Sequence, residues 1–171
     1  MDAPDLLTDA FERVNEGVHR VMGSLDRAAL MYRPDPDANP IAWLIWHASR
    51  IQDDHLADLA GREQLWTSAG WAKRFALPLA DGDTGFGHSS DQVDLLGGVV
   101  GELLVGYHDA LTERVRDDVD AVVAAGLDRI VDERWDPPVT AGVRLVSVLE
   151  DTLQHVGQAA YVRGLHERLT S

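Results

Sequence analysis

Two stretches of the chain carry side chains that together could bind a metal ion. The first, IAWLIWHASRIQDDH, contains His47; the second, LEDTLQHVGQAAYVRGL, contains Asp151 and His155. Asp151 and His155 are four residues apart, so on a helix they stand one turn above each other on one face. Val148, Gln158 and Val162 continue that face, and its apolar members predict that it looks inward. His47 shares a face with Trp43, Leu44, Ile51 and Asp54, again mostly apolar. An inward carboxylate is costly unless paired or metal-bound, and an inward histidine needs a hydrogen-bond partner or a metal. Two histidines and one aspartate from two helices make a nitrogen–oxygen set with open positions. Such a set suits Zn²⁺, Ni²⁺, Fe²⁺ or Mn²⁺ and is of the catalytic kind, because a structural zinc site is normally closed by four protein ligands. The spacing alone also accommodates a plain carboxylate–imidazole hydrogen bond in the second stretch and a satisfied core histidine in the first.

Helices must position these residues. Leu7, Phe11, Val14, Val18, Val21 and Leu25 recur at alternating intervals of four and three, a bundle-type stripe. This predicts a long first helix, interrupted only by the poor helix formers Gly17 and Gly23 and over before the turn-rich Arg33-Pro34-Asp35-Pro36-Asp37. Asn39 reads as the N-cap and Pro40 as the first residue of a second helix over 40–60, with Gly61 as its stop. Residues 62–88 read as a long irregular loop with the Gly-rich run DGDTGFGH and room for a short helix over 68–76; loops of this length are often lids or pocket walls. Ser89 and Gln92 fit a capping box for a third helix carrying Val93, Leu96, Val100, Leu103, Tyr107, Leu111 and Val115 and ending near Asp120. A connector with a short helical turn, closed by Trp135-Asp136-Pro137-Pro138, leads to Thr140 as N-cap of the last helix, over 141–169. No stretch alternates as a strand does. The expected architecture is all-α: one four-helix-bundle domain over residues 1–171, with the irregular loop between helices 2 and 3.

Other residues are candidates around the metal set. His88, in the Gly-rich loop, is a candidate to line a pocket mouth or act as general base. Gln158, on the His155 face, is a candidate to support that histidine or touch substrate. Arg50 and Arg163 are candidates to bind a polar or anionic substrate group; ion pairs with Asp54 and Glu167 are their structural alternative. Trp43, Trp46, Trp66 and Trp71 fit either a pocket wall or core packing. His55, two turns after His47, is a candidate support for the same face, and Gly157 reads as a point of close helix packing. Glu150 is a fallback for Asp151 but sits off the His155 face. His19, His108 and His166 are expected at solvated or hydrogen-bonded positions.

The stretch N-P-I-A-W-L-I-W-H-A-S-R resembles the W-L-x-W-H helix of the DinB-like superfamily, and D-T-L-Q-H-V-G-Q-A resembles its H-x-x-x-H-x-G-Q helix. The likeness extends over nearly the whole chain in order. In the common bacterial form the ligands are three histidines. Mycothiol-dependent maleylpyruvate isomerase instead pairs an acid with a histidine four residues later, and this sequence is similar to that kind, with Asp151 in place of a glutamate one methylene longer. The resemblance implies a divalent metal, zinc or nickel, on His47, Asp151 and His155. It also implies a low-molecular-weight thiol cosubstrate, with mycothiol favoured over bacillithiol and glutathione. The implied activity is thiol S-transfer onto an electrophile, or isomerisation in which the thiol adds and leaves again. A stress-related binding protein with a degenerate site is the non-enzymatic counterpart.

Composition narrows the setting. The chain has no cysteine, so neither a disulfide framework nor a protein thiol nucleophile exists. Its formal net charge of -14 opposes binding to nucleic acid or an anionic membrane surface and favours solubility. The Ala-, Asp- and Arg-rich, Lys-poor composition is of the high-GC actinobacterial kind. With no targeting segment and no long apolar run, a cytoplasmic location is expected, and a homodimer is the default assembly.

Overall fold

The computed structural model describes residues 1–170. Four long helices form the bundle: α1 (Ala3–Met22), α3 (Ile41–Ala60), α7 (Gly101–Ala125) and α8 (Ala141–Leu169). Each packs on two others, so that α1, α7, α3 and α8 run in that order around the bundle. Short helices α2 (Arg27–Met31), α4 (Leu65–Ser68), α5 (Trp71–Phe75) and α6 (Ser90–Val93) lie in the connections. No described helix is long and apolar enough to cross a membrane.

Several expected boundaries hold, and others shift for local reasons. Gly61 closes α3 in the left-handed conformation (φ 69°), the Ser89–Gln92 capping box starts α6, and Thr140 caps α8 through Val143 N–H. The first helix stops at Met22, short of Leu25, because Ser24 turns the chain at φ 62° and Asp26 caps the new helix α2. Pro40, not Asn39, is the N-cap of α3. The third helix is not continuous: a 3₁₀ turn over Asp94–Gly98 follows α6, and Val99 and Val100 are extended before α7 begins. Gly97 and Gly98 favour this break through their high cost in a helix. The last connector holds a two-stranded antiparallel ribbon, β1 (Ile130–Asp132) with β2 (Val139–Thr140), rather than a helical turn.

Two apolar clusters fill the bundle, one built on Val14, Val18, Trp43, Trp46, Leu104 and Val156, the other on Phe11, Leu56, Val115, Leu145 and Val148. Between them each of α3, α7 and α8 contributes polar residues: His47, Ser49, Arg50, Gln52 and Asp53, then His108, then Asp151, Thr152 and His155. The bundle therefore has a polar waist, and the metal-set residues belong to it. His108 lies there fully buried, its Nδ1–H donating to Ser49 Oγ (3.0 Å), and burial lowers its pKa to about 4. An unfolded histidine titrates near 6.5. Between those values the unfolded chain binds the extra proton, so this contribution to stability is present above pH 6.5 and is lost as the pH falls towards 4. From pH 7 to pH 4.5 the urea-unfolding free energy should fall by about 2 kcal/mol more for the parent than for His108→Gln. Equal falls would show that His108 charges without cost.

Glycine placement corrects one expectation. A Cβ at Gly157 would meet nothing within 4 Å, whereas one at Gly17 would lie 2.9 Å from Val156 Cγ1. Close packing between α1 and α8 therefore occurs at Gly17. Gly17→Leu should cost about 1–3 kcal/mol by overpacking, and Gly157→Ala should gain about 0.5–1 kcal/mol from helix propensity. Chemical denaturation checks both; the opposite ranking would contradict the assignment.

Candidate metal centre

α3 supplies His47 and α8 supplies Asp151 and His155, and one ligand atom from each lies within 4.8 Å of the others. The two helices arrive there because apolar residues on either side of the waist pack them together. His47 is buried; Asp151 and His155 are half-buried, leaving the set open on one side. His155 Nε2 stands 3.6 Å from Asp151 Oδ1, an ion-pair contact longer than a good hydrogen bond. The rings of His47 and His155 meet edge to face, 4.7 Å between centroids.

Hydrogen bonds fix both imidazoles. His47 Nδ1 faces the Thr84 carbonyl at 2.5 Å, and His155 Nδ1 faces Gln158 Oε1 at 2.9 Å. Each acceptor requires the proton on Nδ1 and leaves Nε2 as the free nitrogen, the arrangement usual for histidines that hold metal. Asp151 Oδ2 is buried without a hydrogen-bond partner. Buried carboxylate oxygens are rarely left so, and a cation beside it would satisfy it. The donor set fits a divalent metal on this ground.

The electrostatics agree. Burial lowers the pKa of His47, against the opposing hydrogen bond to Thr84, and so keeps the ring neutral. For His155 burial again opposes charge, but Asp151 outweighs it and raises the pKa. Asp151 is correspondingly lowered: burial opposes the shift, and His155 drives it.

The other candidates divide. Trp43 is at the set: it stacks on His47 (4.6 Å, 12°), meets His155 edge-on and donates through Nε1 to His88 Nδ1 (3.2 Å). Gln158 is there as the acceptor for His155. His88 is not at a pocket mouth: its side chain is 3% exposed, and Nε2 donates to Asp83 Oδ1 (2.9 Å). With both nitrogens engaged it braces the loop and offers no free base. Arg50 is fully buried and spends its donors on protein acceptors, so it does not face substrate. Arg163 binds Glu167 and the carbonyls of Arg20 and Val21 at the end of α1. Trp66 and Trp71 pack with Phe75 and Tyr107 in the core, and Trp46 is buried against Trp66 and His88. His55 bonds to Arg144 (3.2 Å) instead of the metal set. The sequence reading missed Thr84, whose backbone orients His47, and Gly85, which rests on it; the only signal was the glycine density of the loop.

A bundle with a half-open nitrogen–oxygen set on facing helices has the makings of a metalloprotein. The comparisons narrow this to a family. The DinB superfamily pattern matches residues 10–159, and the chain belongs to that superfamily. It is similar in structure to a conserved protein from Enterococcus faecalis, with a TM-score of 0.87 and 29% identity over 95% of this chain and 96% of that one. No curated protein matches the chain.

Proposed function

We propose that the protein is a metal-dependent S-transferase for a low-molecular-weight thiol, with a sugar-type thiol such as mycothiol as cosubstrate. The observation that carries this reading is the convergence of His47, Asp151 and His155 in a half-open set, with Nδ1 of both histidines engaged elsewhere and Asp151 Oδ2 buried without a partner. A zinc or nickel ion held there would supply a Lewis acid that keeps a thiol sulfur in the nucleophilic thiolate form at neutral pH. Two neutral imidazoles and one carboxylate offset only half of a dication's charge, so the set retains attraction for an anionic sulfur. Trp43 gives the centre an apolar wall, and burial of His47 keeps water from one side. The chain has no cysteine, so the thiol comes from solution. In the transfer the sulfur bonds to an electrophilic carbon. A leaving group departs with the electron pair, or a proton completes an unsaturated acceptor.

A cleft of about 870 Å³ supports the cosubstrate class. It is lined by His55 of α3, Arg144 of α8 and Asp81–Gly82 of the loop that continues to Thr84. His55 is eight residues beyond His47 and Arg144 seven before Asp151, so a molecule with its sulfur at the set would reach the cleft across on the order of 10 Å. Five acids line it against three arginines. All three arginines are committed: Arg62 to Asp118, and Arg134 and Arg144 to Asp132. Such a surface favours a hydroxyl- or amine-bearing body over a polyanionic one.

The test is metal content of tag-free protein, followed by conjugation of a fluorogenic electrophile with mycothiol and with glutathione. Conjugate formation faster with mycothiol, and lost on chelation, is expected. Thiol that cycles without being consumed would indicate the isomerase reaction, and metal-loaded protein inert with every thiol would reject the enzymatic reading.

A further inference from the structure

Two of the four hydrogen bonds that Arg50 donates go to the loop that orients His47. Its Nε donates to the Asp83 carbonyl (3.1 Å) and its Nη2 to the Asp81 carbonyl (3.0 Å), while Nη1 reaches Gln64 Oε1 (2.8 Å) and the Tyr107 hydroxyl (3.3 Å). The guanidinium also lies 4.7 Å over the Trp66 ring. One rigid fork thus clamps two carbonyls of the loop just before Thr84, whose own carbonyl accepts from His47 Nδ1. Gly85 closes the arrangement. A Cβ there would lie 2.8 Å from Trp46, 3.0 Å from His47 Nδ1 and 3.1 Å from Trp43, and its φ of +92° disfavours any side chain. Asp83 Oδ1 accepts from Gly85 N–H and from His88, holding the turn in that shape.

The plain alternative is that Arg50 only neutralises the buried Asp53. The bond pattern speaks against it. Asp53 accepts close bonds from the N–H groups of Leu65 and Trp66, from Tyr107 and from Arg62, whereas Arg50 is 4.0 Å away.

We propose that Arg50 and Gly85 are positioning residues for the metal centre: they hold the Thr84 carbonyl against His47 and so fix the tautomer and ring orientation that present Nε2. This rests on the metal reading above. Outer partners of ligating histidines typically change metal affinity 10–100-fold. A lysine at 50 keeps the charge but loses the planar fork, and an alanine at 85 pushes the loop away from His47.

The experiment compares the parent with Arg50→Lys, Gly85→Ala and Arg62→Lys, the last a buried-network change that touches no carbonyl of residues 81–84. Zinc affinity is measured by competition with a chromophoric chelator, stability by urea unfolding, and the His47 tautomer by ¹⁵N NMR of the metal-free protein. Arg50→Lys and Gly85→Ala should bind zinc about 10–100-fold more weakly and show His47 mixed between tautomers. Arg62→Lys should lose stability yet match the parent in both site measurements. Should Arg50→Lys fail to fold, Gly85→Ala carries the test alone. Parent-like affinity in both Arg50→Lys and Gly85→Ala, or a loss equalled by Arg62→Lys, overturns the proposal. A parent that binds no zinc overturns the metal reading instead, and the tautomer measurement then judges the positioning by itself.

Discussion

His155→Ala is expected to hold zinc or nickel at least about 100-fold more weakly than the parent, beyond the 10–100-fold range of an outer-partner change. Two protein ligands would remain where catalytic sites keep three, and Asp151 Oδ2 would lose the neighbour that brings the ion to it. Asp151→Ala should act as strongly, since it removes the one negative charge of the set. Asp151→Glu should retain binding: the carboxylate survives one methylene longer, and a side chain already 34% exposed has room to adjust. Gln158→Ala should cost about tenfold, because it frees His155 Nδ1 without removing a ligand. His55→Ala should change nothing. Equilibrium dialysis with elemental analysis reads the whole series. A parent-like metal content in His155→Ala would place any bound ion elsewhere. Thermal stability gives a second readout: an ion at 100 times its dissociation constant adds about 2.7 kcal/mol, and a chelator should remove that increment from the parent but not from His155→Ala.

Asp53→Ala should be the most damaging single change to the fold, at about 3–5 kcal/mol. The carboxylate is fully buried and gathers four donors: two N–H groups at the start of α4, the Tyr107 hydroxyl and Arg62. Its removal strands the two N–H groups and the Tyr107 hydroxyl in the buried interior, while Arg62 keeps Asp118. In a chain of this size the loss corresponds to a melting-temperature drop on the order of 10 °C. Asp53→Asn should recover little, since one amide oxygen cannot serve four donors and its NH₂ would face N–H groups. Thermal melts at neutral pH check this; a drop below about 1 kcal/mol, the worth of an ordinary hydrogen bond, would mean that the network is not cooperative.

The grouping of His47, Asp151 and His155 was legible because helical spacing is a strong geometric statement. Asp151 and His155 had to share a face, and the apolar residues beside them and beside His47 turned both faces inward. The resemblance then joined the two segments, which spacing could not do. Arg50 shows the limit of the same logic. It is fully buried on α3, and whether an inward arginine meets substrate or protein depends on what covers it. The cover is a run of backbone carbonyls at Asp81 and Asp83 that has no side-chain signature. Thr84 escaped for that reason too, since its contribution is a carbonyl oxygen that every residue has. The third helix begins later than the stripe predicts, at Gly101, because Val93, Leu96 and Val100 keep a helical rhythm through a 3₁₀ turn and an extended step. The ribbon was missed because its strands are too short to show alternation.

The helices that carry the candidate ligands also bear on how the molecule comes apart. His47 and the Asp151–His155 pair are far apart along the chain and meet only where α3 and α8 dock. Contacts of such long sequence separation tend to form late on the way to the native state. Stabilisation absent from the folding transition state appears mainly as slower unfolding. An ion at this seam would therefore act as a latch: refolding would proceed at much the same speed with or without it, while escape from the native state would be slowed.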